Sequence, residues 1–148
     1  MFKKIAGFCI VVVAFVAGGC ASVPMASTDK DDSAKTFKAK AGMANIYVYR
    51  NETFGAALKM PVVLDGKLAG DTASKTYFLF EVAPGKHELI AKGENDSVLP
   101  LTVQAGNNYF VWQEMKMGMF AGRSVLQLVD EAKGRAGVAE CKLIEAMK

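Results

Sequence analysis

The fold of this chain is decided by the stretch PVVLDGKLA at positions 61–69. Its apolar arms flank Asp65-Gly66, and this dipeptide supplies the positive φ angles that a type I′ turn demands. A two-residue turn of this kind joins antiparallel strands. The stretch therefore predicts a β-hairpin.

Similar segments recur on both sides of this hairpin. Residues 46–50 are β-branched and aromatic, which suits a pleated surface. Further apolar or alternating segments lie at 76–82, 87–91, 98–103, 109–112 and 124–129. Turn residues separate these segments at spacings of about ten residues, which is typical of an all-β sandwich or barrel. We therefore predict a mainly β fold, a single β-sandwich of about seven or eight short antiparallel strands.

Three details refine this prediction. Pro100 places its strand at a sheet edge or a bulge, because proline cannot donate to the ladder. Residues 109–112 are apolar at four successive positions, so this strand should be covered on both faces. Asp130 is typical of an N-cap and predicts a short C-terminal helix, which Gly134 and Gly137 weaken by about 1 kcal/mol each against alanine. Residues 141–144 fit either the helix end or a last strand.

The order of the turns carries a family resemblance. LDGKLAG at 64–70, APGKHEL at 83–89 and AGNNYF at 105–110, with YVYR at 47–50 ahead of them and residues 118–128 behind, resemble the small PEGA-like β-sandwich of a bacterial lipoprotein domain family of unknown function. The resemblance spans 43–145. It implies a sandwich scaffold and no catalytic residue.

The N-terminus has the pattern of a secretory signal. Lys3 and Lys4 precede a charge-free apolar run at 5–16, and Ala17-Gly18-Gly19-Cys20 follows. This ending resembles the lipobox of bacterial lipoproteins. The resemblance implies cleavage between Gly19 and Cys20, and acylation of Cys20 by fatty acids such as palmitate.

The alternative interpretation of this segment is a transmembrane helix or a plain signal. The strongly apolar run stops at Val16, short of the roughly 20 residues that a span needs. We therefore expect a signal peptide at 1–19 and a membrane contact through the lipid on Cys20. The resemblance also implies a destination: lipoproteins held at the inner membrane typically carry Asp after the cysteine, whereas this chain has Ala21, so the expected location is the outer membrane, periplasmic face.

The next segment, 20–42, is rich in Ala, Ser, Thr, Asp and Lys and has one aromatic residue, Phe37. Such a composition buries too little apolar surface to offset the entropy of ordering. It predicts a flexible tether that follows the lipidated Cys20. The β-sandwich domain is then 43–148, long enough for one core.

Charge and cysteine content exclude several classes. Without Lys3 and Lys4 the chain keeps 16 basic residues against 15 acidic ones, so it lacks the basic excess that nucleic-acid binding needs. After cleavage and acylation, Cys141 is the one remaining thiol, which is either buried or pairs between chains. No internal disulfide is then possible.

Candidate catalytic groups are few. His87 is the single histidine, and with Cys141 it would give a base and a nucleophile. No third residue completes the set, and no ligand spacing for zinc is present. We predict no enzyme, no cofactor, no catalytic residue and no metal ligand.

Met115, Met117 and Met119 carry the alternative function. Alternation would place the three sulfurs on one side of an extended chain, and thioethers suit Cu(I). Methionine is also a common filler of irregular apolar gaps. The preferred prediction is a non-enzymatic, lipid-anchored envelope protein that presents its β-sandwich to a periplasmic partner, either an envelope protein or the cell-wall polymer. The alternative is a small periplasmic Cu(I)-binding protein.

Overall fold

The computed structural model describes residues 21–148, and the predicted signal peptide at 1–19 and Cys20 lie outside this range. The described residues form nine strands and two helices. In chain order they are α1 Thr28–Ala34, β1 Ala44–Arg50, β2 Met60–Leu64, β3 Lys67–Thr72, β4 Thr76–Val82, β5 Gly85–Ala91, β6 Ser97–Val103, β7 Asn108–Met117, β8 Gly122–Val129, α2 Glu131–Ala139 and β9 Lys142–Leu143.

Two sheets pack face to face, which confirms the predicted sandwich. The larger sheet has the order β8-β7-β1-β4-β9, and the smaller has the order β3-β2-β5-β6. The predicted hairpin is β2–β3, and Asp65 and Gly66 at its turn have φ angles of 50° and 79°. Pro100 lies in β6, an edge strand, as predicted.

The predicted antiparallel pairing needs correction at two places. β1 pairs with β7 in parallel, and so does β4 with β9. Parallel neighbours need a long crossover rather than a hairpin. In the first case the intervening chain forms β4 and the whole of the smaller sheet, so the strand pattern alone did not reveal the direction. β9 settles the ambiguity at 141–144, because Lys142–Leu143 is a two-residue strand.

The space between the sheets forms the inner core. Ile46 and Val48 of β1 and Phe78 of β4 are buried in this core. Along each strand, the residues between them point to the opposite face of the sheet. Val111 of β7 also lies in this core and is fully buried. Burying apolar area here supplies most of the favourable free energy of folding.

The outer face of the larger sheet carries a second cluster, which we call the aromatic layer: Tyr47, Tyr49, Tyr77 and Phe110. α1 and α2 cover it, so residues 109–112 are covered on both faces as predicted. Asp130 is the N-cap of α2, and its side chain accepts a hydrogen bond from the Lys133 N–H. A Cβ atom at Gly134 would overlap the Phe110 ring, and one at Gly137 would overlap the Tyr49 ring. The helix glycines therefore permit close packing.

The prediction of a flexible tether is wrong for the described part of that segment. Residues 28–34 form α1, with Ser27 as N-cap, and Met25 forms a β-bridge with Ile144. Phe37 packs on Tyr47, with ring centroids 5.3 Å apart. A buried carboxylate and a few apolar contacts hold this segment. The prediction failed because it used composition alone, which does not account for such specific contacts. Among residues 21–148, no helix combines the length and apolar character needed to cross a bilayer.

Candidate partner-binding cleft

The folded segment 24–37 creates a cleft that the sequence did not predict. The residues at the start of α1 are typical of a helix N-terminus. Ser27 is the N-cap, and Asp29 and Asp31 lie in the first turn, where the helix dipole stabilises carboxylates. The helix lies beside β9 and the C-terminal residues 144–146. Between these segments and β4 a cleft of about 880 Å³ remains open.

Asp31 fixes α1 in this position. Its buried carboxylate accepts hydrogen bonds from the Tyr77 hydroxyl at 2.7 Å and from the Leu143 N–H at 3.1 Å. Lys35 Nζ lies 2.8 Å from the second oxygen. Burial alone would raise the pKa of this carboxyl, but the hydrogen bonds from Lys35 and Tyr77 and the Lys35 charge lower it below the usual range. The charged form is therefore stabilised, and it ties the helix to β4 and β9.

One side of β4 is only partly paired. β1 covers its whole length on one edge, whereas β9 covers only Thr76 and Tyr77 on the other. The Ile144 N–H donates to the Tyr77 carbonyl at 2.9 Å, and beyond it the chain leaves the sheet. Backbone groups of a strand alternate between its two edges. Leu79 and Glu81 therefore direct their N–H and C=O groups into the cleft, unpaired among the described residues.

The cleft has an apolar floor and a charged rim. Two exposed ion pairs lie on the rim, Lys40–Glu81 at 2.6 Å and Lys30–Glu145 at 3.0 Å. Exposed pairs of this kind contribute roughly 0–1 kcal/mol and are readily rearranged. The lining residues are Leu64, Leu79, Phe80, Ile144 and Ala146 on the floor, and Asp29, Lys30, Lys38, Lys40, Glu81 and Glu145 on the rim.

The structure does not bring His87 and Cys141 together. His87 lies in the smaller sheet, where its Nδ1 is 2.6 Å from Asp65 Oδ2 and its Nε2 is 2.7 Å from the Ala83 carbonyl. Cys141 lies between α2 and β9 and packs against the aromatic layer. Burial raises the pKa of its thiol to about 12, so the thiol stays protonated at neutral pH. Of the two alternatives for Cys141, burial or pairing between chains, the structure shows burial.

The three methionines do not share one environment. Met115 is 4% exposed, whereas Met117 and Met119 are 77% and 82% exposed. Met115 acts as a gap filler, because its Cε lies 3.2 Å from the position of a Cβ on Gly55. The common face that the Cu(I) alternative needs is not assembled, and Cu(I) binding stays a prediction without structural support. Among residues 21–148, no group of three or more His, Cys, Asp and Glu side chains is placed to hold a metal ion.

Together, the fold and the cleft define a small β-sandwich domain in which the edge of β4 beyond β9 is open to the cleft. The chain belongs to the family described as "Protein of unknown function (DUF2846)", whose sequence profile matches residues 40–124, more than half of the chain. The predicted membership in a domain family of unknown function is thereby confirmed. The likeness to the PEGA-like sandwich and the lipoprotein signal stay predictions.

A protein of Haemophilus influenzae named "Uncharacterized protein" is 32% identical over 136 residues. The matched region covers 90% of this chain and 81% of that protein. No solved structure matches the chain. The family match ends before α2 and begins after α1, so it includes the open strand edge but not the helix beside it.

Proposed function

We propose that this protein is a non-enzymatic, lipid-anchored envelope protein that presents its cleft to a periplasmic partner. The pattern Gly18-Gly19-Cys20 after a short apolar run supports acylation at Cys20. Ala21, in place of Asp, favours the periplasmic face of the outer membrane. The near balance of basic and acidic residues argues against a nucleic-acid partner.

The open edge of β4 carries the proposal for the partner. Unpaired N–H and C=O groups on a strand edge bind an extended peptide by adding a strand to the sheet. Leu79 and Glu81 offer two such positions, and the apolar floor beside them can accept alternate side chains of the added strand. The partner is therefore an extended segment of an envelope protein.

The rim charges bear on how such a segment would be recognised. Three basic and three acidic side chains line the rim, so the cleft has no strong net charge. Backbone pairing and the apolar floor would then supply the affinity, and the rearrangeable ion pairs would supply selectivity. A highly charged polymer fits this rim less well than a peptide of mixed composition.

The anchor is tested by replacing Cys20. Cys20→Ser removes the thiol that the fatty acid needs, so labelling with a fatty-acid probe should disappear. Cys141→Ser serves as the control, because Cys141 is buried and should leave labelling unchanged. Labelling that persists in Cys20→Ser would contradict the proposed anchor.

The cleft is tested with two substitutions at one exposed position. Glu81→Pro removes the N–H that faces the cleft, whereas Glu81→Ala removes the same side chain and keeps the N–H. A photo-crosslinker at Lys38, on the rim, should capture an envelope protein in intact cells. We expect the crosslink to survive Glu81→Ala and to be lost in Glu81→Pro.

Two results would contradict the peptide proposal. A crosslink that Glu81→Pro leaves unchanged would mean that strand addition does not hold the partner. Capture of cell-wall polymer instead of protein would assign the cleft to the other partner class. Melting curves of both variants provide the folding control, because the Glu81 N–H makes no bond to β1 in this register.

A further inference from the structure

The connection between β7 and β8 is strongly apolar, and its large side chains are exposed. We call residues 117–121 the hairpin tip. Met117, Met119 and Phe120 are 77%, 82% and 90% exposed, so three large apolar side chains stand next to one another in solvent. Single exposed apolar residues are ordinary on protein surfaces, but a contiguous group marks a contact site.

The hairpin tip has a defined shape. The Glu94 carboxylate, in the neighbouring β5–β6 loop, accepts hydrogen bonds from the N–H groups of Phe120 and Ala121 at 3.3 Å each. The Glu94 N–H donates to the Gly122 carbonyl at 3.1 Å. A Cβ atom at Gly118 would overlap that carboxylate and also the Ala121 backbone carbonyl, which cannot move aside as a side chain can, so glycine is required there. The apolar side chains are therefore held outward.

The hairpin tip also projects beyond the rest of the larger sheet. Tyr49 pairs with Trp112, so β1 ends opposite Gln113 while β7 continues to Met117. Four further residues at about 3.3 Å each extend the hairpin by roughly 13 Å past the end of β1.

The N-terminal end of the described chain lies at this same end. The Ala21 N–H donates to the Ala56 carbonyl at 3.0 Å. The loop that carries Ala56 is fixed by the buried Arg50, whose guanidinium donates to the carbonyls of Gly55 at 2.6 Å and Leu58 at 2.8 Å. Leu58 in turn packs against Gly122, the first residue after the hairpin tip.

Cys20 is joined directly to Ala21, and one residue spans at most about 3.6 Å. An acyl group on Cys20 would therefore enter the membrane beside the Ala56 loop, with no long tether between lipid and domain. Phe54, half exposed in the same loop, adds a further apolar side chain to this end.

We propose that the hairpin tip inserts into the surface of the bilayer that holds the acyl chains of Cys20, an inference that rests on the proposed lipid anchor. Aromatic and apolar side chains bury about 5–10 Å into the boundary between headgroups and acyl chains. Lys116 and Arg123 lie opposite each other in the β7–β8 ladder at the base of the tip. Lys116 Nζ is 2.7 Å from Glu114 Oε1, so the exposed Arg123 is the cation that would face anionic headgroups.

Two contacts fix an orientation, whereas one lipid anchor leaves the domain free to rotate. With the hairpin tip in the bilayer, the larger sheet stands with its opposite end away from the membrane. Val82 and its partner Ala44 lie at that end, and Thr76 and Arg50 lie at the membrane end. The open edge at Leu79 and Glu81 is therefore held toward the periplasm.

The test uses the full acylated chain in vesicles of phosphatidylethanolamine and phosphatidylglycerol with brominated acyl chains, which quench nearby tryptophan. Phe120→Trp places a reporter on the tip. Leu128→Trp is the matched control, because Leu128 is 53% exposed and lies near the other end of β8. Trp112 is common to both variants, so its emission is subtracted using the parent chain.

We expect both variants to float with the vesicles, and only Phe120→Trp to lose most of its added fluorescence. If both variants float but their added fluorescence is quenched equally, or is not quenched at all, the tip does not insert. The lipid anchor would still be supported by the flotation. Blue-shifted Phe120→Trp emission without quenching would mean that a second copy or another protein covers the tip, which also overturns the tip insertion. A chain that takes up no acyl label would overturn the anchor and this inference together.

Discussion

The two faces of the larger sheet are held in different ways. The inner face packs against the smaller sheet through aliphatic and phenylalanine side chains, whereas the outer face packs tyrosines against two short helices. The inner face follows the apolar alternation and adds one buried chain of hydrogen bonds, in which Thr72 of the smaller sheet donates to Gln113 and Gln113 donates to Ser124. The outer face also needs a buried carboxylate at Asp31 and two glycines in α2. Polar anchors can thus hold a cover that has little apolar surface of its own.

The inner face should contribute the larger share of stability. Phe78→Ala deletes a fully buried ring from the inner core and should cost about 3–5 kcal/mol of the free energy of unfolding. Tyr77→Phe, at the next position and on the outer face, removes one hydrogen bond to Asp31 and should cost about 1–2 kcal/mol. Urea unfolding of both variants measures the difference. An equal loss of unfolding free energy in the two variants would contradict the larger contribution of the inner face.

The glycines of α2 allow a test in which two principles predict opposite signs. Helix propensity predicts that Gly137→Ala stabilises the protein by about 1 kcal/mol. Packing predicts the reverse, because the added Cβ overlaps the Tyr49 ring, and overpacking costs about 1–3 kcal/mol. We expect a lower melting temperature for Gly137→Ala. A higher one would mean that α2 lies farther from the sheet.

Asp31→Asn should loosen α1 without disturbing the inner core. The substitution removes the charge that Lys35 faces and should cost about 1–3 kcal/mol. Trypsin should then cleave after Lys35 and Lys38, two sites that we expect to resist cleavage in the wild type. Asp29→Asn is the control, because Asp29 is exposed on the same helix. Equal cleavage of the two variants would show that Asp31 does not hold the helix.

The same carboxylate predicts a pH dependence for the outer face. The pKa of Asp31 is lowered in the folded state, so its contribution is present above the ordinary value of 3.8 and is lost as pH falls through the folded pKa. α1 should therefore become sensitive to protease in acid before the inner core unfolds. The Asp31→Asn variant should lack this acid step.

His87, near the start of β5 in the smaller sheet, provides the smallest effect. The hydrogen bond to Asp65 raises the pKa of His87, and burial opposes this only in part. Its contribution is therefore present below about pH 6.5 and is lost as pH rises through the folded pKa. The melting temperature of the wild type should fall slightly between pH 6 and 9 relative to His87→Gln. A parallel pH profile for the two proteins would contradict this account.

Prediction from sequence succeeded where local pattern determines structure. Alternation and turn residues located the strands, the Asp65-Gly66 hairpin and the N-cap at Asp130, because these depend on neighbours in the chain. The parallel pairing of β1 with β7 depends on 60 or so intervening residues and has no local signal. The cleft was missed because composition alone gave residues 20–42 no structure.

A local signal for α1 was nevertheless present. Ser27 followed by Asp29 and Asp31 is typical of a helix start. The decisive contact, Asp31 with Tyr77, joins residues 46 positions apart and is invisible in the sequence. The hairpin tip was similarly hidden, because Met115, Met117 and Met119 look alike in sequence while the fold buries one and exposes the others.

The open edge of β4 is tested most directly by residue-resolved amide hydrogen exchange in the free protein. We predict that the N–H groups of Leu79 and Glu81 exchange faster than those of Phe78 and Phe80 by a factor on the order of 100 or more, because only the latter bond to β1. Addition of the crosslinked partner should protect Leu79 and Glu81. Slow exchange at all four positions in the free protein would mean that the edge is already paired, and would contradict the account.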